Sequence, residues 1–261
     1  MKKIGIVGCG VIGTGIAGFI SKKLKGRARV VALCDVDADK ARSLAKKITP
    51  VPSVTGLDNL IRKSDLIIES AGGKVSGMIA EKAVSRKKDC LVMSTGGLLK
   101  RQGLFKKARS KGVSIHIPSG AISGVDGLIS ASSGKITNVR LTTRKPIKGL
   151  IGAPYLKIKG IDINNIKKET VIYNGNAGEA VRYFPQNINV AATVSLFGIG
   201  PDRTRVRIIT SPKYKRNVHE LEVEGDFGRL FTRTENLPSA RNPKTSRLAV
   251  FSALAKLREV V

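Results

Sequence analysis

The chain has 261 residues, 41% of them hydrophobic and 25% charged, enough to bury one large core or two modest ones and too apolar for a disordered chain. Lysine and arginine number 47 against 19 acidic residues, a formal charge of +28 that suits a polyanion. That charge is diffuse, however, no DNA-binding motif accompanies it, and aromatics at 4% offer few stacking platforms, so no specific nucleic-acid partner is expected. The charge is read instead as background, such as a basic proteome or a thermophilic or salt-rich interior would favour.

Apolar runs at 3–7, 29–34, 65–70, 89–94 and 112–117 predict strands, with helical patterns between them. Nearly continuous apolar strands separated by helices imply a parallel sheet covered on both faces, a doubly wound α/β fold. The first strand runs into "GIVGCGVIGTGIA", where Gly8, Gly10 and Gly13 lead into a helix carrying Ile16, Phe19, Ile20 and Leu24. In a Rossmann fingerprint the first glycine makes the tight turn, the second lets backbone approach a pyrophosphate, and the third lets helix and strand pack closely. Amide groups from Gly8 to Gly13, through Val11 and Ile12, would then face the phosphates. Asp35 ends the second predicted strand, where its carboxylate can accept hydrogen bonds from ribose hydroxyls. Asp35 and Asp37 together favour NAD by repelling a 2′-phosphate, while Lys40 and Arg42 soften the bias and keep NADP in play.

The strand ends "ESAGG" (69–73) and "STGGL" (94–98) fall where ligands of such sheets bind, and their small residues leave room for ribose and nicotinamide; a simple turn explains each equally well. Cys9, Cys34 and Cys90 are too scattered for a disulfide framework or a CxxC pair, which suits a reducing, cytoplasmic setting. No apolar run reaches the roughly 18 residues of a membrane span.

Beyond residue 118 the text changes character. "IPSGAISGVDGL" (117–128), "TRKP" (143–146), "GNAGEAVRYFPQNINVAATVSLFGIGPDRTRVRI" (175–208), "NVHELEVEGDFG" (217–228) and "ENLPSARNPKTS" (235–246) resemble, in order, segments of the L-aspartate dehydrogenase family. The resemblance spans essentially the whole chain. It implies an NAD(P)-dependent enzyme that oxidatively deaminates L-aspartate to iminoaspartate, which hydrolyses to oxaloacetate and ammonium or feeds NAD biosynthesis. It also implies an N-terminal Rossmann domain, a second α+β domain for substrate and dimerisation, and a homodimer. The family's acid/base histidine matches His219; its cofactor-contacting alanine matches Ala121, and its asparagine matches Asn187 or Asn189.

In "VHELEVE" (218–224), alternation places His219, Leu221 and Val223 on one strand face and three glutamates on the other, so His219 is expected to point inward. An imidazole there can exchange protons near neutral pH, or simply be a satisfied core histidine. His116, the second histidine, reads as structural, and two histidines with dispersed cysteines provide no metal site. Pro185 and Gly198 bracket a predicted helix whose first turn holds the asparagines, either against the cofactor or as ordinary caps.

A dianionic substrate needs positive charge or amide donors for two carboxylates. Arg144 and Lys145 of "TRKP" are candidates, as are Lys244, Thr245 and Ser246 of "NPKTS", at a helix start with Asn242 as cap and Pro243 in the first turn. Leu248, Phe251, Leu254 and Leu257 continue that helix at amphipathic spacing. The expected domains are 1–118, 119–241, and a helix over 242–261 packing back toward the first. The rival readings are a homoserine dehydrogenase or dihydrodipicolinate reductase relative, and a non-catalytic NAD-sensing or nucleic-acid-binding protein.

Overall fold

The computed structural model describes residues 1–101, 103–184, 189–239 and 242–261. They form two units, one of Met1–Pro118 with Val250–Val261 and one of Ser119–Ala249.

In the first unit, β1 (Lys2–Val7), β2 (Ala28–Cys34), β3 (Ser53–Val54), β4 (Leu66–Glu69), β5 (Asp89–Val92) and β6 (Ile115–His116) form one sheet in the order β3-β2-β1-β4-β5-β6. Every neighbouring pair is parallel. This is the doubly wound order, and the direction of winding reverses between β1 and β4. The connecting helices are α1 (Val11–Lys23), α2 (Ala38–Ala45), α3 (Leu57–Lys63), α4 (Gly73–Ser85) and α5 (Gly103–Ser110). Ile4, Ile6, Leu66, Ile67 and Ile68 are fully buried, which is why the central strands read as unbroken apolar runs. β3 escaped the sequence reading because a two-residue strand has no periodicity to detect.

The second unit is a mixed sheet of β7 (Ile136–Pro146), β8 (Thr170–Asn176), β9 (Arg205–Ser211), β10 (Asn217–Gly225) and β11 (Gly228–Asn236), ordered β11-β10-β7-β9-β8. β7 and β9 run parallel and the other pairs antiparallel. Its helices are α6 (Val125–Ala131), α7 (Pro154–Ile158), α8 (Ala177–Tyr183) and α9 (Asn189–Phe197). Val139, Leu141, Val206, Ile208, Leu221 and Val223 line the inner sheet face and share one core with Leu128, Ala180 and Val194 from the helices.

The chain's last turn of structure corrects one expectation. Residues Asn242–Ser246 are not the first helical turn but a strand, β13, paired with β12 (Pro238–Ser239); the helix α10 runs over Arg247–Val260. Pairing with a preceding strand overrides the local asparagine–proline signal, and the Ser246 hydroxyl, which accepts from Leu248 N at 3.2 Å, does the work expected of Asn242. The buried stripe of α10 is also shifted. Ala253 and Leu257 enter the first unit's core, whereas Leu248 and Phe251 are exposed. Lys2 Nζ donates to Val260 O at 2.8 Å and Arg258 lies 4.9 Å over the Phe19 ring, tying the helix end to that unit. No helix among the described residues is long and apolar enough to cross a membrane.

Candidate active site

The glycine loop sits at the C-terminal end of β1, beside the winding reversal. Gly8 adopts φ +93°, and a Cβ there would lie 2.5 Å from the Ser70 carbonyl, so both conformation and space require glycine. At Gly13 a Cβ would fall 2.0 Å from Gly8 O. Gly10 differs, since a side chain there would meet no protein atom within 4 Å. Packing does not demand glycine at that position, and the backbone there is open to approach. Helix α1 starts at Val11 with no side-chain cap and no acidic residue in its first turn, leaving its amide end suited to an anion. This cradle fits the pyrophosphate of a dinucleotide.

Asp35 has a task that sequence reasoning missed. Its Oδ2 accepts from Cys9 N at 2.6 Å and its Oδ1 from Asp37 N at 2.9 Å, so the carboxylate pins the glycine loop to the end of β2. A cleft of about 310 Å³ opens alongside, lined by Cys9, Thr14, Asp37, Lys40, Ser43 and Lys47 among others. Lys40 is paired with Asp37 at 3.2 Å and Arg42 with Asp39 at 2.7 Å, both exposed pairs of small energetic weight.

Glu69 was also missed. Buried at the end of β4, it accepts from Ala71 N (2.8 Å), Gly72 N (3.0 Å) and Ser94 N (3.0 Å), clamping the two strand-end segments together. Burial pushes its carboxyl above the ordinary range and these hydrogen bonds oppose the shift. Gly97 serves packing, since a Cβ there would lie 2.4 Å from Gly73 O, whereas a Cβ on Gly72 would meet no protein atom within 4 Å.

His219 lies in the second unit, 3% exposed, on the face that β10 shares with Leu221 and Val223. Its register partner on β7 is Thr143, whose hydroxyl is 3.0 Å from Nδ1. Along β7, Val139 and Leu141 are followed on the same face by Thr143 and then Lys145, which is 5% exposed; across on β9, Val206 and Ile208 are followed by Thr210. The inner face thus changes from apolar to polar at one end, where His219, Thr143, Lys145 and Thr210 gather. Desolvation, reinforced by the charge of Lys145, pulls the imidazole down to about 3; burial alone pulls Lys145 down to about 8.

Arg144 does not join this group. Alternation sends it to the reverse face, where it pairs with Glu220, a residue also held by Arg233. Ala121 is buried and its carbonyl accepts from Asn236 Nδ2 at 2.9 Å, while Asn236 Oδ1 accepts from Ser246 Oγ at 2.6 Å. Asn236 therefore joins two predicted site residues. Ser123, in the same loop as Ala121, bonds to Thr234, the β11 partner of His219, by its amide (3.1 Å) and hydroxyl (2.7 Å). Asn189 opens α9 and is exposed. Asn187 and Pro185 lie outside the described residues, as do the side chains of Lys244 and Thr245. His116 ends β6 in the first unit, partly buried. No three histidine, cysteine, aspartate or glutamate side chains cluster as metal ligands among the described residues.

An all-parallel sheet in this winding order, a glycine cradle on an uncapped helix and an acidic residue at the end of β2 define a pyridine-nucleotide-binding protein of the dehydrogenase type. Residues 8–118 match the family described as "Homoserine dehydrogenase, NAD binding domain", and residues 126–260 match "Aspartate dehydrogenase, C-terminal". The chain is similar to the L-aspartate dehydrogenases of Methanosarcina acetivorans (47% identity) and Methanosarcina barkeri (46%), each over all of this chain and 97% of that protein. It belongs to the L-aspartate dehydrogenase family and is an oxidoreductase. The crystal structure of aspartate dehydrogenase from Thermotoga maritima shares its fold, with a TM-score of 0.74 at 24% identity, covering 100% of this chain and 97% of that one.

Proposed function

We propose that the protein catalyses the NAD(P)-dependent oxidative deamination of L-aspartate to iminoaspartate, which hydrolyses to oxaloacetate and ammonium or is drawn off toward NAD synthesis. The observation that carries this reading is the buried His219–Thr143–Lys145 group in the part of the chain matched to the aspartate dehydrogenase C-terminal family. When bound, the nicotinamide supplies the hydride acceptor for the substrate Cα. The glycine loop from Gly8 to Gly13, with Val11 and Ile12, holds the pyrophosphate, and Asp35 receives the ribose hydroxyls while fixing the loop. Ala121 and Asn187 or Asn189 border the nicotinamide end.

The substrate's ammonium must lose a proton before hydride can leave Cα, and the imine must then gain water. His219, desolvated and neutral, is in the form that accepts a proton; Nδ1 is engaged by Thr143, which leaves Nε2 as the nitrogen assigned to the proton transfer. Lys145 provides the positive charge that a carboxylate requires; Ser246 gives its hydroxyl proton to Asn236 and supports the site from behind, and Lys244 and Thr245, whose side chains lie outside the described residues, keep the role of candidate donors. Arg144, held by Glu220 on the reverse face, is left out of the pocket.

The deciding experiment is a spectrophotometric panel of amino and hydroxy acids with NAD and NADP, run in reverse with oxaloacetate and ammonium. L-Aspartate is expected to be the preferred substrate; preference for homoserine or another hydroxy acid would overturn the reading. Cofactor choice is tested separately. Asp35→Ala removes both a ribose partner and the loop's anchor, so binding of both cofactors should weaken, NAD more than NADP. Equal losses in fluorescence titrations would remove Asp35 from the ribose site and leave it only the anchoring role.

A further inference from the structure

Glu69, at the end of β4, is 0% exposed. Burying a carboxylate is costly unless a countercharge or hydrogen bonds offset the lost water. Here hydrogen bonds alone do so. Oε1 accepts from Ala71 N (2.8 Å) and Gly72 N (3.0 Å) and Oε2 from Ser94 N (3.0 Å), and among the described residues no lysine, arginine or histidine pairs with it. All three partners donate, the pattern an ionised carboxylate takes. Clamping two loops does not require a net charge, since a neutral hydrogen-bonding side chain can do it at a smaller desolvation cost.

The position of Glu69 shows what its charge faces. Its register partner is Val7, the last residue of β1, and the next residue, Ser70, donates its hydroxyl to Gly8 O at 2.7 Å. The carboxylate therefore stands one strand away from the glycine loop. With the adenosine ribose at Asp35 and the pyrophosphate on that loop, the strand order β2-β1-β4-β5 leaves the ends of β4 and β5 to the nicotinamide half of a dinucleotide. Little covers those ends. Ala71, Gly72 and Gly73 follow Glu69, and a Cβ on Gly72, whose own amide is bonded to the carboxylate, would meet no protein atom within 4 Å.

We propose that Glu69 is a specificity-determining residue for the redox state of the coenzyme: its charge, unpaired by any cation at the nicotinamide end, favours the oxidised ring, which is positive, over the reduced ring, which is neutral. The inference rests on the placement of the dinucleotide proposed above and extends it. Attraction between carboxylate and ring assists binding of the oxidised form. Once hydride has passed from the substrate Cα to the ring the attraction is gone, which eases release of the reduced form. The ADP-ribose portion, which lacks the ring, should not sense the charge.

Calorimetric titrations of the whole enzyme with NAD(P)+, NAD(P)H and the ADP-ribose portion of the preferred coenzyme separate charge from structure. Glu69→Gln keeps the shape of the side chain and deletes the charge. It should weaken the oxidised form about tenfold relative to the reduced form, the order expected for one charge acting across a poorly solvated wall. Any loss shared by the reduced form and ADP-ribose reports the altered clamp. Glu69→Asp does the converse, keeping the charge and shortening the clamp, so all three ligands should weaken together with the oxidised-to-reduced ratio unchanged.

Equal losses of the oxidised and reduced forms in Glu69→Gln would overturn the proposal and leave Glu69 a clamp alone. Should that variant fail to fold, the wild type decides: oxidised coenzyme bound at least as tightly as reduced supports the proposal, and tighter binding of the reduced form sinks it. The placement of the dinucleotide fails on a different measurement, an unchanged affinity for ADP-ribose in Gly10→Ala, so the two failures are distinguishable.

Discussion

His219→Ala will lower kcat by roughly 10²–10⁴-fold, the usual contribution of a positioned acid/base, while nucleotide affinity changes little. The imidazole is buried at the polar end of the second sheet, its Nδ1 engaged by Thr143, and its backbone is held on both sides by β7 and β11. Removing the side chain therefore deletes chemistry without unfastening the strand, although the cavity left behind will cost some stability. His219→Asn keeps a polar group beside Thr143 but cannot titrate, so it should be impaired to a similar degree. Steady-state kinetics on variants shown by circular dichroism to be folded will check this. Near-wild-type turnover in a folded variant would return His219 to the role of a satisfied core histidine.

A second large effect is expected at the other end of the chain. In Gly13→Ala the new Cβ would sit 2.0 Å from Gly8 O and 2.9 Å from Ser70 Oγ. The first of these is backbone, so the loop or the start of α1 must move. Overpacking of this kind costs about 1–3 kcal/mol, and because the displaced atoms are those that would face the pyrophosphate, cofactor affinity should fall by an order of magnitude or more. Gly10→Ala is the informative partner. Nothing in the protein lies within 4 Å of its Cβ, so stability should drop by no more than the roughly 1 kcal/mol of a poorer N-cap, while the methyl group occupies the approach to the loop. Urea denaturation and cofactor titration on both variants should show stability and binding falling together at Gly13 and binding alone at Gly10. Unchanged cofactor affinity in Gly10→Ala would show that the open side of the loop is not where the nucleotide lies.

How much of this was legible beforehand depended on the range of the signal. The glycine spacing, Asp35 at a strand end and the alternation around His219 each occupy a short window, and a window carries its own period, so the parallel sheet and the inward histidine could be read directly. The same logic would have separated the two basic residues of "TRKP". Val139, Leu141, Thr143 and Lys145 continue one strand face, which places Arg144 on the other, but neighbouring cations look equivalent when only composition is weighed. By contrast, the pairing of Asn242–Ser246 with β12 defeated a good local helix-start signal, because a strand partner supplies backbone hydrogen bonds that no cap motif reveals.

The sequence by itself determined the doubly wound nucleotide-binding unit, the inward aspect of His219 and, through several specific segments, the family. Tertiary structure alone decided which distant residues meet around the candidate site. Thr143 and His219 are 76 positions apart, Asn236 and Ala121 115 apart, and Glu69 and Ser94 25 apart. Their meetings follow from register between strands and from loops clamped to distant strands. Register is set by the whole buried face at once, since a slip of one residue would turn every side chain of a strand to the other side, and no single window of sequence contains that information.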